Sequence, residues 1–415
     1  MLAGEMVVAL LLLLALSVAT REAPLFLLTL ALLVATALSR LWERFALERI
    51  EYRRHFGHAH AAFGEQVDLE IEVVNRKLLP LSWLEAEDEM PAELQLLHGR
   101  TQPSYKPDRA LLANLLAMRP YERLRRHYTL SCMARGEHLF GPVRLRSGDL
   151  FGFALCDRTL KIPDSIVVYP RVVPLEELGL PARHPLGDLR TQSWIFEDPS
   201  LIAGVREFRP GDSLRRVHWP ATARSQQMQT RIYEATTGHK LGIFLNLATG
   251  EDARWAYGYD PDVLELSITA AASIAMWGLE QGYQVGLYTN GLHRASHESI
   301  AVEPGRSVRQ AESILLALGR LQPLVGERFE DLLSRRGRQL PFGTSVVVVS
   351  AVLFPAAAAA VQRLRMSGHG VTVVFTGRHD VGTPMHGVSL HKVGPPEGWR
   401  DMPELSAVAA VTAQK

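Results

Sequence analysis

The run LGIFLNLA at residues 241–248 decides the fold of the C-terminal half, because an apolar stretch of this length is typical of a strand buried on both faces of a sheet. A helical pattern follows at residues 261–281, and further apolar, strand-like runs occur at residues 283–289, 345–352 and 371–376. Helical patterns separate the strand-like runs. The sequence therefore predicts an α/β unit whose parallel sheet is covered on both faces.

Upstream of this unit lies the most distinctive stretch of the chain, GVREFRPGDSLRRVHWPATAR at residues 204–224. Pro210, Gly211 and Asp212 form a strong turn signal, since proline fixes φ and glycine accepts positive φ. Arginines surround that turn, and Trp219 offers an apolar plate on which a guanidinium can stack. The spacing is compatible with two roles, which are locking a domain interface and presenting guanidinium groups to an acidic partner.

The same stretch resembles a family of bacterial membrane proteins known as domain of unknown function 58, whose hallmark is R-x-[YF]-x-P-G-D-x-x-R-x-I-x-W-x-A-x-A-R. The matching positions are Arg206, Phe208, Pro210, Gly211, Asp212, Arg215, Trp219, Ala221, Ala223 and Arg224. Val217 departs from the family pattern by replacing isoleucine. Two further segments, residues 135–153 and 167–172, are also similar to the family, so the resemblance covers nearly the whole chain.

The resemblance implies that the C-terminal α/β unit is a von Willebrand factor A-like domain. Such domains often hold Mg²⁺ through a D-x-S-x-S pattern after the first strand, because carboxylate and hydroxyl oxygens suit this ion. Here the corresponding positions are Asn246, Ala248 and Gly250, and Ala351 stands where a further aspartate is expected. We therefore expect a degenerate metal site and no cofactor. Residual magnesium binding remains the alternative.

Residues before this α/β unit predict a β-rich domain. From Gly64 onward, apolar and polar residues alternate as in a half-buried strand, and further short strand-like runs follow between turns that contain glycine or proline. This spacing favours a β-sandwich of immunoglobulin or fibronectin type. The two cysteines, Cys132 and Cys156, are too few for a disulfide framework, and we expect reduced thiols.

At the N-terminus, residues 6–20 and 24–39 are two uncharged apolar runs with only a short turn between them. With their flanks they reach the length of spanning helices, and we expect a transmembrane hairpin in the inner (plasma) membrane. Arg40, Arg44 and Arg49 follow the second run, so the positive-inside rule predicts that both termini and the soluble domains are cytoplasmic. A secretory signal peptide and buried core helices are the competing interpretations.

The predicted chain thus consists of a membrane anchor, followed by an all-β domain and then an α/β domain. It comprises a transmembrane hairpin at residues 1–42, a juxtamembrane connector at 43–63, a β-sandwich at 64–172, a linker with the signature motif at 173–235, the von Willebrand factor A-like domain at 236–400 and a tail at 401–415.

Charge composition and the absence of catalytic motifs reduce the number of possible functions. The 45 basic and 44 acidic residues give no global field that would attract nucleic acid, and the P-loop and the common hydrolase motifs are absent from the sequence. We therefore predict a non-catalytic interaction protein bound to the lipid bilayer. The resemblance implies an AAA+ ATPase of MoxR type as its partner, with which it would act as an adaptor or co-chaperone. An unrecognised enzyme with an anion-binding site around Arg209, Asp212 and Arg215 is the alternative. The predicted partner-binding or interdomain residues are Arg206, Arg209, Pro210, Gly211, Asp212, Arg215, Trp219 and Arg224.

Overall fold

The structure is a computed structural model. It describes residues 2–20, 22–149, 155–180, 197–209, 217–235, 239–250, 259–293, 298–378 and 385–403. The fold is mixed α/β and divides into two compact units, Met1–Tyr169 and Pro170–Lys415. The first unit is rich in strands beyond its two N-terminal helices, and the second alternates strands with helices.

The chain begins with two apolar helices that contact each other, α1 (Leu2–Thr20) and α2 (Ala23–Phe45). Pro24 lies in the first turn of α2, where a missing N–H costs nothing. Among the described residues, α2 and a later helix, α4 (Pro261–Glu280), are long and apolar enough to cross a membrane. The two helices differ in burial. In the most apolar 18-residue stretch of each helix, 18% is buried in α2 and 78% is buried in α4. Composition and exposure make α2 compatible with membrane insertion, whereas α4 is a core helix.

The junction between α2 and the first sheet is short. Strand β1 (Ile50–Phe56) starts five residues after the helix ends, so residues 43–63, predicted as a connector, contain a full sheet strand. Tyr52 and Ile50 of β1 are buried in the core, which alternation of apolar residues in IEYRRHF allows. Burial of these side chains and antiparallel pairing with residues 69–75 stabilise the segment as a strand.

The strand-rich unit contains two larger sheets. The first has the order β1, β3 (Gln66–Asn75), β8 (Arg123–Ser131) and β5 (Gln95–Leu96). The second has the order β11 (Leu155–Leu160), β10 (Val143–Gly148), β4 (Leu81–Pro91), β7 (Arg109–Met118) and β6 (Thr101–Pro103). All pairings within these two sheets are antiparallel. A small third sheet joins β2 (His60–Ala61), β12 (Asp164–Val168) and β9 (Gly136–Phe140).

One apolar core lies between the two larger sheets. It includes Leu69 and Ile71 from one sheet and Leu84 and Leu145 from the other, all at most 1% exposed. Ala46 and Leu47, just after α2, belong to the same core. Since strand side chains alternate between faces, each sheet contributes every second residue to this interior.

The second unit begins with a separate two-stranded sheet, in which β13 (Glu197–Glu207) pairs antiparallel with β14 (Gln229–Ala235). The short helix α3 (Trp219–Ser225) lies between the two strands in the chain. The segment predicted as a linker at residues 173–235 therefore contains regular structure.

The rest of the unit is built on a seven-stranded sheet. Its main path is β17 (Ser299–Gly305), β16 (Gln284–His293), β15 (Lys240–Leu245), β19 (Ser345–Ser350), β20 (Gly370–Phe375) and β21 (Ser389–Lys392), while β18 (Leu321–Val325) pairs with β16. Strands β16 to β21 along this path are parallel, and β17 and β18 are antiparallel to β16.

Helices cover both faces of this sheet. Phe244 and Val346 pack with the helices α6 (Phe329–Gly337) and α7 (Pro355–Met366). Gly278 of α4 lies against Leu241, which points to the opposite face because its parity along β15 differs from that of Phe244. Helix α4 contacts α5 (Val308–Gly319), and a short 3-10 helix, Pro396–Arg400, also contacts α4. The covered parallel strands place their carboxyl ends along one edge, where the predicted degenerate metal site lies.

Candidate functional site

The signature segment, which we define as residues 204–231, folds as the end of a hairpin with a helix inserted. Arg206 is paired with Thr230 across β13 and β14, and the backbone N–H of Phe208 donates to the carbonyl of Met228 at 2.8 Å. Val217 forms an isolated bridge to Thr230, and both residues are 2% exposed. The hairpin therefore continues on both sides of the segment that contains the predicted turn.

Helix α3 is fixed at its start by His218. The imidazole Nδ1 accepts a hydrogen bond from the backbone N–H of Ala221 at 3.1 Å, and the His218 N–H donates to the carbonyl of Gln229 at 2.8 Å. Thr222 bridges helix and strand, because its hydroxyl accepts from the N–H of Gln229 at 2.9 Å. These hydrogen bonds attach α3 to β14.

The side chains that α3 presents are exposed. None of its residues is buried, and Trp219 is 66% exposed. Arg224 on α3 and Arg209 after β13 are also exposed, and Arg206 is half-buried with its guanidinium donating to the carbonyl of Glu207 at 3.0 Å. Pro210, Gly211, Asp212 and Arg215 lie outside the described residues. The structure thus brings together Arg206, Arg209, Trp219 and Arg224 on one short hairpin and helix.

The carboxyl edge of the parallel sheet holds the positions predicted as a degenerate metal site. Asn246, at the end of β15, is 2% exposed and uses its whole amide group. Its Nδ2 donates to the Ser350 hydroxyl at 2.9 Å and to the Val352 carbonyl at 3.3 Å. Its Oδ1 accepts from the Asn290 amide at 2.9 Å and from the Ala248 N–H at 3.1 Å.

The network at this edge is electrically neutral. Ala248 carries no ligand atom in its side chain, Ala351 is buried, and Asn290 accepts from the Leu247 N–H at 3.0 Å. Within the described ranges, the chain brings together no group of three or more histidine, cysteine or acidic side chains that could hold a metal ion. Amide dipoles therefore occupy the place where the resemblance implies charged ligands.

A charged cluster that the sequence analysis did not identify lies at the start of α4. Asp260 caps the helix by accepting from the N–H groups of Asp262 and Val263, and the Arg378 guanidinium donates to its other oxygen at 2.8 Å. Arg378 also donates to Glu397, and the Trp399 indole donates to Asp262 at 3.1 Å. The sequence signal for this cluster was Asp260 directly before Pro261, because an aspartate followed by a proline is typical of the start of a helix.

The cluster shifts the acidity of its members. Burial opposes ionisation of Asp260. The hydrogen bond and charge of Arg378, together with the hydrogen bonds from the backbone N–H groups of Val263 and Asp262, outweigh burial, so the pKa of Asp260 lies below its ordinary value. The hydrogen bonds to Asp260 and Glu397 raise the pKa of Arg378. A cavity of about 540 Å³ opens beside this cluster, lined by Gly377, Arg378, Lys392, Val393, Gly394, Pro395, Pro396 and Glu397. Asp260, Arg378 and Glu397 are charged at neutral pH, and their ion pairs hold the 3-10 helix Pro396–Arg400 against the start of α4.

Comparisons with known proteins agree with the signature motif. Residues 204–395 match the family described as "Protein of unknown function DUF58". The chain is 23% identical over 248 residues to the "Uncharacterized protein YeaD" of Bacillus subtilis (strain 168), a match that covers 60% of this chain and 57% of that relative. The chain therefore spans little more than half the length of this curated relative. The part of the chain that carries the motif is similar to DUF58 proteins, as the sequence predicted.

Similar solved structures include a CARDB domain from Pyrococcus furiosus in complex with di-metal ions, at 7% identity and a TM-score of 0.18, covering 29% of this chain and 84% of that one. A cohesin module from a Clostridium perfringens family 33 glycoside hydrolase is 9% identical with a TM-score of 0.21, covering 29% of this chain and 95% of that one.

Proposed function

We propose that this chain is a membrane-anchored, non-catalytic protein-interaction module that faces the cytoplasm and acts as an adaptor or co-chaperone for an AAA+ ATPase of MoxR type. The observation that carries the proposal is Trp219, which is 66% exposed on a helix with no buried residue. A tryptophan in such a position forgoes the burial that would stabilise the fold, and tryptophan is enriched among residues that dominate binding energy.

The charge of the signature segment supports an acidic partner. Residues 204–231 contain six arginines against Glu207 and Asp212, although the whole chain has a formal net charge of only +1. Arg224 lies on the same helix as Trp219, Arg209 closely follows β13, and both arginines are exposed. Arginine beside an exposed aromatic ring is the composition that protein interfaces favour over lysine-rich surface.

The anchor in this proposal is the pair α1 and α2. Its support is the exposure of the apolar side chains of α2, including Leu27 and Leu28, and the arginines that follow the apolar run. In a bacterial host, a C-terminal fusion to a fluorescent protein should be fluorescent and a C-terminal fusion to alkaline phosphatase inactive. An active phosphatase fusion would reverse the proposed orientation.

The proposal also assigns a fold type to the strand-rich unit and to the α/β unit. We propose that the strand-rich unit is a β-sandwich of immunoglobulin or fibronectin type, supported by two antiparallel sheets that share one core. We also propose that the α/β unit is von Willebrand factor A-like, supported by its parallel strands with helices on both faces.

The binding proposal is tested with the purified full-length chain in detergent and a purified MoxR-type ATPase from the same organism. Replacing Trp219 by alanine should weaken binding at least about tenfold, because a central aromatic anchor typically contributes 2 kcal/mol or more. Phe342→Ala is the matched control, since Phe342 is also an exposed aromatic residue of the second unit, at 60%. Equal affinities for both variants would reject Trp219 as the anchor, and no binding of the unaltered chain would reject the partner.

The electrostatic part of the proposal has its own test. Arg224→Gln should lower the association rate and reduce its dependence on salt concentration, because exposed interfacial charges act mainly on the encounter step. Arg338→Gln, at another exposed position in the second unit, should leave both quantities unchanged. Stopped-flow measurements at several salt concentrations distinguish these outcomes.

A further inference from the structure

Three loops of the strand-rich unit meet where α2 ends. Residues 46–49 connect α2 to β1, residues 76–80 connect β3 to β4, and residues 119–122 connect β7 to β8. The sheet register places the three loops at the same end of the unit, because residues that flank the loops are paired with one another. These pairs are Ile50 with Asn75, Val74 with Arg123, and Leu81 with Met118. We call these three loops the helix-end loops.

Hydrogen bonds hold the helix-end loops in one arrangement. The amide of Asn75, which is 0% exposed, donates to the carbonyls of Leu79 and Arg119, each at 3.0 Å. The ammonium of Lys77 donates to the carbonyl of Ala46, and to that of Glu48 at 3.0 Å. A buried amide and a buried amine therefore fix two loops to each other and one of them to the end of α2.

This ordered arrangement exposes two apolar side chains. Leu78 is 75% exposed and Tyr121 is 69% exposed. Tyr121 also has a φ of 55°, a left-handed conformation that is rare and strained for a bulky residue. The backbone N–H of Tyr121 donates to the Lys77 carbonyl at 3.2 Å, so the strain is maintained by a loop contact while the ring stays in solvent.

The end of α2 determines what these loops face. The uncharged run of α2 ends at Ser39, whose hydroxyl donates to Asp149 at 2.5 Å, and Trp42 packs against the core of the unit. The last two turns of α2 are thus attached to the strand-rich unit, and the apolar remainder of the helix leaves it at the end that carries the helix-end loops. Exposed arginines on these loops are Arg49, Arg76 and Arg119.

We propose that the helix-end loops dock on a bilayer surface rich in anionic phospholipid, with Leu78 and Tyr121 in the interface and the loop arginines at the phosphates. This inference rests on the proposed membrane anchor. Tyrosine is enriched at the headgroup level, where its ring meets hydrocarbon and its hydroxyl meets water. Arginine near an anionic leaflet is attracted to the phosphates. The docked loops would fix the orientation of the strand-rich unit relative to the bilayer.

The test uses the full-length chain reconstituted in liposomes that contain phosphatidylglycerol and a lipid spin-labelled near the headgroup. In a Cys156→Ser background, single variants Leu78→Cys, Tyr121→Cys and Tyr105→Cys carry an environment-sensitive fluorophore. Tyr105, at 83% exposure, lies between β6 and β7 at the opposite end of the sheets and serves as the control. Labels at 78 and 121 should lose about half their fluorescence to the quencher, because interfacial groups lie some 5–10 Å into the headgroup region. The label at 105 should keep its fluorescence.

Flotation of the same samples after alkaline extraction separates the two proposals. Vesicle-bound protein whose three labels all remain unquenched would overturn the docking and leave the anchor standing. Protein that does not float with the vesicles would overturn the anchor and the docking with it. A soluble quencher, iodide, gives the reciprocal readout, with strong quenching expected at 105 alone.

Discussion

At the scale of single residues, Arg54 is the most consequential charge in the strand-rich unit. Its guanidinium side chain is 0% exposed and makes two hydrogen bonds of 2.7 Å to Asp88, whose side chain is 1% exposed. It also donates to Asp164 at 2.7 Å and to the Ile162 carbonyl at 2.8 Å. These contacts join strands of all three sheets through one side chain.

Removal of this guanidinium should therefore destabilise the unit strongly. Arg54→Met leaves Asp88 buried without a counter-charge, and we expect a loss of about 3–5 kcal/mol in the free energy of unfolding. Arg53→Met is the matched control, because its side chain is 54% exposed and pairs with Glu51 at the surface, where such a pair contributes about 0–1 kcal/mol. Urea denaturation in detergent gives both values, and equal losses would contradict the expectation.

Lys77 should make stability depend on pH. Burial lowers the pKa of its ammonium from 10.5 to about 8. Between these values the unfolded chain binds more protons than the folded chain, so the contribution of Lys77 to stability rises as the pH rises through this window. The difference in unfolding free energy between the unaltered chain and Lys77→Met should grow from pH 8 to pH 10.5. Parallel pH profiles would show that the amine titrates normally.

At the scale of elements, Asp260 combines two roles at the start of α4. Asp260→Asn retains a side-chain acceptor for the N–H groups of Asp262 and Val263 but loses the ion pair with Arg378, whereas Asp260→Ala loses both. We expect the alanine variant to be less stable than the asparagine variant by about 1 kcal/mol, the usual contribution of an N-cap. Thermal unfolding followed by circular dichroism measures the difference, and identical midpoints would assign no stabilising role to the cap.

Elements whose apolar residues recur with a clear helical or strand periodicity were predictable from the sequence. The helical pattern at residues 261–281 corresponds to α4, and the apolar run at 345–352 contains β19. Strand β7, with the sequence RALLANLLAM, was not predicted, because leucine and alanine are good helix formers. It is a strand because β4 and β6 pair with it on both sides, and such long-range pairing overrides local propensity.

The candidate site was only partly predictable. Composition identified Arg206, Arg209, Trp219 and Arg224, but the choice between a sealed interface and an open surface depends on burial, which spacing does not encode. At the sheet edge, the missing carboxylates were visible in sequence. The hydrogen bonds that join Asn246 to Asn290 and Ser350 were not, because the three residues come from three separate strands.

At the scale of the whole molecule, the division between Tyr169 and Pro170 should appear in calorimetry. Compact units with separate cores commonly unfold in separate transitions. We expect two transitions, with Arg54→Met lowering the midpoint of one and Asp260→Ala lowering that of the other. A single transition shifted by both substitutions would show that the units unfold as one cooperative body.

The four residues between α2 and β1 have a mechanical consequence. Ala46 and Leu47 are buried in the core of the strand-rich unit, Lys77 holds the carbonyls of Ala46 and Glu48, and Ser39 is bonded to Asp149. These contacts fix the C-terminal end of α2 to the sheets at several points. We therefore expect a tilt of α2 to turn the sheets with it, so that the helix and the strand-rich unit move together.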